Sequence, residues 1–160
     1  MNINWASWLL WGFVATGVMT TTEATLQGLG VTRMNVPYLL GTMVTPDRDR
    51  ARVEGLLLHF LNGWIVSFGY VAIFQAWHLA TWWNGIILGL VNGLFMLAVV
   101  LPMMPGIHPR MAREQAGPTA RRQLEPPGFL GLNYGVRTPL AILLAHAAYG
   151  AILGAFYKVL

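Results

Sequence analysis

Four ionisable side chains sit where a very apolar chain has least reason to keep them: Glu23, His59, His108 and His146. The chain contains no cysteine, which removes disulfides, thiolate metal sites, iron–sulfur clusters and dithiol redox chemistry. Any metal must therefore be held by His, Glu, Asp or Met. Three imidazoles and one carboxylate suit zinc, iron or manganese, with Glu23, His59, His108 and His146 as ligands. A second version places a b-type haem between His59 and His146 as axial ligands, with Gly63 and Gly150 leaving room for the macrocycle and Arg110 or Arg113 near its propionates. No CxxCH is present, so covalent haem attachment is excluded. The same residues also suit a proton or ion path, or hydrogen bonds that merely satisfy one another. No HExxH motif and no nucleophile beside a base stands out, so hydrolytic or transferase chemistry is the least expected of the readings. His78 reads as solvated, and Met103 and Met104 as apolar wall.

The elements that must position these groups follow from composition. Of 160 residues, 56% are hydrophobic and 10% charged, with a mean hydropathy of +0.54; a soluble domain carries about 25% charged residues. Residues 82–104 hold no Asp, Glu, Lys or Arg. Uncharged apolar runs predict four spans, about 5–26, 56–77, 82–104 and 139–160, each near the ~20 residues a helix needs to cross a bilayer. The expectation is an all-α integral membrane four-helix bundle, one domain over 1–160, with loops about 27–55 and 105–138. The first span lacks a basic n-region and a small-residue cleavage site and reads as retained in the mature protein.

Nine of the ten basic residues, all but Lys158, lie in the two long connections. The positive-inside rule puts both connections in the cytoplasm and both termini outside, periplasmic in a bacterial inner membrane. Six of seven tryptophans, at 5, 8, 11, 77, 82 and 83, then share the outer interface. The basic pI of 10.0 thus belongs to topology, and nucleic acid is not an expected partner. Thr45 with Pro46 is expected to open the second helix about two turns before lipid, and Thr138 with Pro139 the fourth.

Glu23, as the sole acidic residue inside a span, costs about 2.5–3.5 kcal/mol to bury on insertion scales unless paired or protonated. Thr16, Thr20 and Glu23 share a helical face that should look into the bundle. Counting inward from the outer tryptophans, Glu23 is 15 residues past Trp8 and His59 is 18 before Trp77, about 22 and 27 Å at a helical rise of about 1.5 Å. His146 lies at similar depth, about 21 Å from Leu160. His108, just after the third span in Pro105-Gly-Ile-His, would join them at the cytoplasmic edge.

Two internal patterns bear on assembly. His-x3-Gly recurs as His59/Gly63 and His146/Gly150, with Tyr70 and Tyr157 eleven residues on, and Gly12 aligns with Gly89, consistent with a duplicated two-helix unit. Gly85, Gly89 and Gly93, and Gly150 and Gly154, form small-residue faces that admit another backbone from this chain or another. A homo-oligomer or larger membrane complex is therefore an expected partner alongside the bilayer.

The runs Val36-Pro-Tyr-Leu-Leu-Gly-Thr, His108-Pro-Arg-Met-Ala, Leu124-Glu-Pro-Pro-Gly-Phe and Leu132-Asn-Tyr-Gly resemble those of a group of small bacterial four-helix membrane proteins of uncharacterised activity. The resemblance implies a fold and a membrane location and no site residue. Turn-forming Pro-Pro-Gly and Asn-Tyr-Gly lead us to expect ordered loops, with Phe129 and Tyr134 docked on the bundle end. The leading functional expectation is an accessory or redox subunit binding a metal ion or haem. The alternatives are a cofactor-free structural subunit and a small homodimeric proton-coupled transporter.

Overall fold

A computed structural model describes residues 3–113, 115 and 117–160. The described chain is all-α, with α1 (Trp5–Gly28), α2 (Val36–Val44), α3 (Arg48–Trp77), α4 (Trp82–Phe95), a π-helical turn (Met96–Val100), α5 (Leu101–Ile107), a short 3-10 segment (Phe129–Tyr134) and α6 (Thr138–Phe156). α4, the π turn and α5 run on as one helical stretch of 26 residues. That stretch, α3 and α6 are the three helices long and apolar enough to cross a membrane. Their outward residues, among them Leu57, Leu61, Ile87, Val91, Leu94 and Leu144, are apolar and exposed, as lipid contact requires.

Packing runs α3–α1–α6–α4, with α2 laid across the start of α3. Small residues decide how closely these helices approach. A Cβ at Gly85 or Gly150 would run into the carbonyl of the other, and one at Gly154 into the Thr81 carbonyl. The glycine faces foreseen on two helices therefore meet each other within the chain. Gly63 of α3 faces the Thr16 side chain of α1 instead. The α1–α3 and α4–α6 pairs thus share glycine-mediated packing but differ in register: Gly150 meets Gly85, two turns from Gly93, the counterpart of Thr16 in the aligned halves.

The ends of α1, α3 and α6 gather on one side. The Asn4 N–H and the Gln75 amide both donate to the Tyr157 hydroxyl, at 3.3 and 3.0 Å, and the Lys158 N–H donates to Ser7 Oγ at 3.0 Å. Trp8 Nε1 donates to Ser67 Oγ and Trp64 Nε1 to the Leu9 carbonyl, both at 2.9 Å, and Trp11 stacks on Phe156. Tryptophan here fastens helices to one another.

At the opposite side the structure departs from expectation. The 27–55 connection contains a helix, α2, started by Asn35, whose side chain accepts from the Tyr38 N–H at 2.8 Å, with Pro37 in the first turn. Gly41 abuts the Ala51 backbone and Gly55 the Pro37 backbone, so α2 braces the first two turns of α3. α3 itself is capped by Asp47 rather than Thr45: the carboxylate accepts from the N–H groups of Asp49 and Arg50 at 3.1 and 2.8 Å, leaving Pro46 outside. Replacing Asp47 by Ala should cost about 1 kcal/mol and raise amide hydrogen exchange in the first turn of α3, with the membrane half unaffected.

Thr138 is the first residue of α6, not its cap; its hydroxyl instead lies 2.7 Å from that of Thr32, tying the two connections together. The third span runs on through Pro102 and Pro105 to Ile107. Pro102 has no N–H for the Ala98 carbonyl, and the π turn just before it widens the helix where an α-helical ring clash would fall. The 105–138 connection is ordered by pairing of residues 110–112 with Leu124 and by the turn at Gly128, with φ of +70°. Tyr134 docks, its hydroxyl donating to the Glu125 carbonyl at 2.6 Å, whereas Phe129 stays exposed. Burial, and next the nearby Glu125 carboxylate, push the Tyr134 phenol up to about 12.

Candidate functional site

Helical spacing sets the inner face of each long helix. On α1 the buried positions are Gly12, Ala15, Thr16, Met19 and Glu23; on α3 Gly55, His59, Gly63 and Ser67 recur every fourth residue; on α6 His146, Tyr149, Gly150 and Leu153 do the same work. The half of the resulting interior nearer the chain termini is filled by Ala15, Tyr70, Val71, Phe74, Tyr149 and Leu153. Toward the Arg-rich side a second buried cluster, including Leu39, Leu97, Leu101, Met104 and Ile142, fills it only in part. A cavity of about 270 Å³ opens there, walled by apolar groups such as Met19, Leu39, Met96 and Leu101, with Glu23, His59, Asn62, Asn92, His146 and Tyr149 as its polar lining.

The structure brings Glu23 and His59 together. Glu23 Oε2 lies 3.6 Å from His59 Nε2, too long for a hydrogen bond, and the side chains are 10% and 6% exposed. Both atoms are fully buried without a hydrogen-bond partner among the described residues. Buried polar atoms are nearly always partnered, so two such atoms facing each other at ion-pair distance single out this point of the cavity wall.

His146 lines the same cavity. Its Nδ1 is 2.9 Å from the Ile142 carbonyl, which can only accept, so Nδ1 carries the hydrogen and Nε2 of the neutral ring carries a lone pair. Tyr149 spends its hydroxyl on the Gly63 carbonyl at 2.6 Å and so contributes chiefly its ring.

His108 lies elsewhere. It is fully buried between α2 and the connection after α5, its Nε2–H donating to the Leu39 carbonyl at 3.0 Å with Thr42 Oγ1 at 3.3 Å, while Nδ1 accepts from the Arg110 N–H at 3.1 Å. Arg110 donates to the Thr42 carbonyl at 2.6 Å and reinforces the same joint. His108 is a clamp between loop and helix, and the expected convergence of four ligands reduces to Glu23 and His59, with His146 on the same cavity. Among the described residues no three His, Asp or Glu side chains are grouped to hold a metal ion. Nor do the residues fit haem: Thr16 occupies the space beside Gly63, and the Gly85 backbone that beside Gly150. His78, exposed in a left-handed conformation, ends α3.

The cavity has a side door. α3 packs on α1, α2 and α6 but scarcely on α4 or the π turn. Asn62, Ile65 and Val66 of α3 line the cavity and are at the same time exposed, Ile65 by 63%, opposite Asn92, Met96 and Val100. The opening is therefore lateral, in the middle of a membrane-length helix. Asn62 and Asn92 were not among the residues singled out from the sequence; their signal was an uncharged amide in the midst of an apolar span.

No family model, curated protein or solved structure matches this chain. Its own residues carry the functional reading.

Proposed function

We propose that this is a small polytopic membrane protein that binds a lipid-soluble molecule with a polar head, taken from the bilayer through the gap between α3 and α4. The observation that supports it is the pair of unpartnered atoms, Glu23 Oε2 and His59 Nε2, at the polar end of a largely apolar cavity whose rim lies at membrane depth. Ligand sites are mostly apolar hollows with a few placed polar groups, and intramembrane carboxylates are costly enough to mark function.

In this reading α1 is a fourth span. Its mean hydropathy is lowered by threonines, yet Thr16, Thr20, Thr21, Thr22 and Thr25 each donate to the carbonyl four residues back at 2.7–2.8 Å. Those hydroxyls enter lipid already satisfied. The arginine-rich connections face the cytoplasm and both termini the opposite side, in keeping with the positive-inside rule.

The test is binding of a diazirine-bearing alkyl amphiphile to the purified protein in lipid nanodiscs, with crosslinks mapped by mass spectrometry. Labelling should concentrate on residues around Ile65, Val66 and Met96. Val100→Trp, which fills the cavity from its rim, should abolish most of that labelling while leaving the helical circular dichroism unchanged. Labelling spread evenly over exposed positions such as Leu57 and Ile87 would overturn the proposal.

A further inference from the structure

We infer that the ligand of this cavity is an organic cation bearing N–H donors, a lipophilic amine, which enters in exchange for a proton. The inference rests on the binding reading above and adds the chemistry of the head group. Asn62 and Asn92 in the cavity's polar lining can both donate and accept, whereas Glu23, His59 and His146 present acceptors once the carboxyl is ionised. Once its proton has left, Glu23 offers Oε2 as an acceptor without a donor, and the Ile142 carbonyl fixes the hydrogen of His146 on Nδ1, which leaves Nε2 as a lone pair. His59 Nε2 is likewise unpartnered and accepts when the ring hydrogen sits on Nδ1. Three acceptors match the three hydrogens of a primary ammonium, whereas an alcohol offers one and a carboxylate none.

Charge points the same way. The titratable groups facing Glu23 across the cavity are His59 from α3 and His146 and Tyr149 from α6; α2, α4, the π turn and α5 supply none to the cavity wall, and no Lys or Arg lines it among the described residues. An anionic head would thus lie beside a carboxyl with no fixed counter-charge, at high cost in a low dielectric. A cation finds its counter-charge in Glu23.

The exchange balances simply. Without ligand, the Glu23–His59 pair is neutral overall, with one proton on either the carboxyl or the imidazole in addition to the ring's own hydrogen. When R–NH3+ enters, that proton leaves to water, the carboxylate and ammonium neutralise each other, and His59 and His146 stay neutral as acceptors. No covalent bond forms or breaks beyond this proton transfer.

The experiment is isothermal titration of the protein in phosphatidylcholine nanodiscs with n-octylamine, n-octanol, octanoate and octyltrimethylammonium, after subtraction of empty discs, in two buffers of different ionisation enthalpy. Octylamine should bind at least tenfold more tightly than the other three, release one proton per amine bound, and gain about tenfold in affinity per pH unit over the range where the exchange operates. Glu23→Gln, isosteric and foldable by circular dichroism, should remove the proton release and most of the affinity. Octanol or octanoate binding as tightly as octylamine would overturn the inference and leave the cavity reading standing. Equal binding of octyltrimethylammonium would overturn the need for N–H donors, and octylamine binding unchanged in Glu23→Gln would overturn the role of Glu23. Failure of all four probes on the native chain would overturn both readings.

Discussion

Gly150→Ala should destabilise the folded protein by about 3 kcal/mol, the upper end of what overpacking a filled interior costs. The added methyl group would meet the Gly85 carbonyl, and the backbone of Gly89 is the next nearest neighbour. Neither is a flexible side chain that can step aside, so α4 and α6 must separate along their whole contact. The same substitution at Gly69, in α3 with nothing near its missing Cβ, should be neutral or slightly stabilising through helix propensity, by up to about 1 kcal/mol. Denaturant titration of both variants in one detergent, followed by tryptophan fluorescence, checks the pair. Equal stability would mean that α4 and α6 do not touch through these glycines. Because the π turn and its neighbours, which line the cavity, continue directly from α4, Gly150→Ala should also loosen the cavity, whereas Gly69→Ala should not.

How much of this was legible beforehand depends on what a linear pattern encodes. Apolar runs and the clustering of arginines report where helices lie, because every residue votes, and the boundaries at Trp5, Trp77 and Trp82 follow from them. Depth was legible too: a rise of about 1.5 Å per residue puts Glu23 and His59 at one level, and they meet at 3.6 Å. Rotation was legible for α1, whose Thr16 and Glu23 are buried as their shared face implied; for the other helices it was not, since it is fixed by which faces pack, and the glycine contacts that decide it become visible only in three dimensions.

α2 was missed because nine residues between two loops offer little periodicity, although Asn35 and Pro37 were a start signal in plain view. Missing α2 also misplaced His108. With no helix foreseen at Leu39 and Thr42, the imidazole had no protein partner to find and was assigned to the metal cluster. Thr45 and Thr138 show a related ambiguity: a threonine before a proline reads as a cap, but Asp47 competes better for the start of α3 and Thr138 is drawn into its bond with Thr32.

His108 supplies the second large effect. Its ring has no solvent exposure, donates to Leu39, accepts from Arg110 and lies against Thr42, so removing it leaves a void and unpaired backbone groups together. His108→Ala should cost about 3 kcal/mol from these two sources. Its pH dependence separates the clamp from generic packing. Burial holds the imidazole below its usual 6.5; the Leu39 carbonyl opposes that, while Arg110 and Arg122 reinforce it. The folded chain therefore prefers the neutral ring and the unfolded chain takes up protons first. The stabilisation is complete above pH 6.5 and is lost as pH falls from there through the lower value of the folded state. Protonation would also give Nδ1 a hydrogen and turn it against the Arg110 N–H it accepts from. The joint between α2 and the loop should open first, ahead of the membrane helices. Hydrogen exchange corrected for intrinsic rates should show the amides of Ala112 and Leu124, bonded across the loop at 2.8 and 3.1 Å, losing protection as pH falls below 6.5. In His108→Gln, which donates an N–H but does not titrate, that loss should vanish. A pH response that persists in the Gln variant would assign the effect to another group and reduce His108 to packing alone.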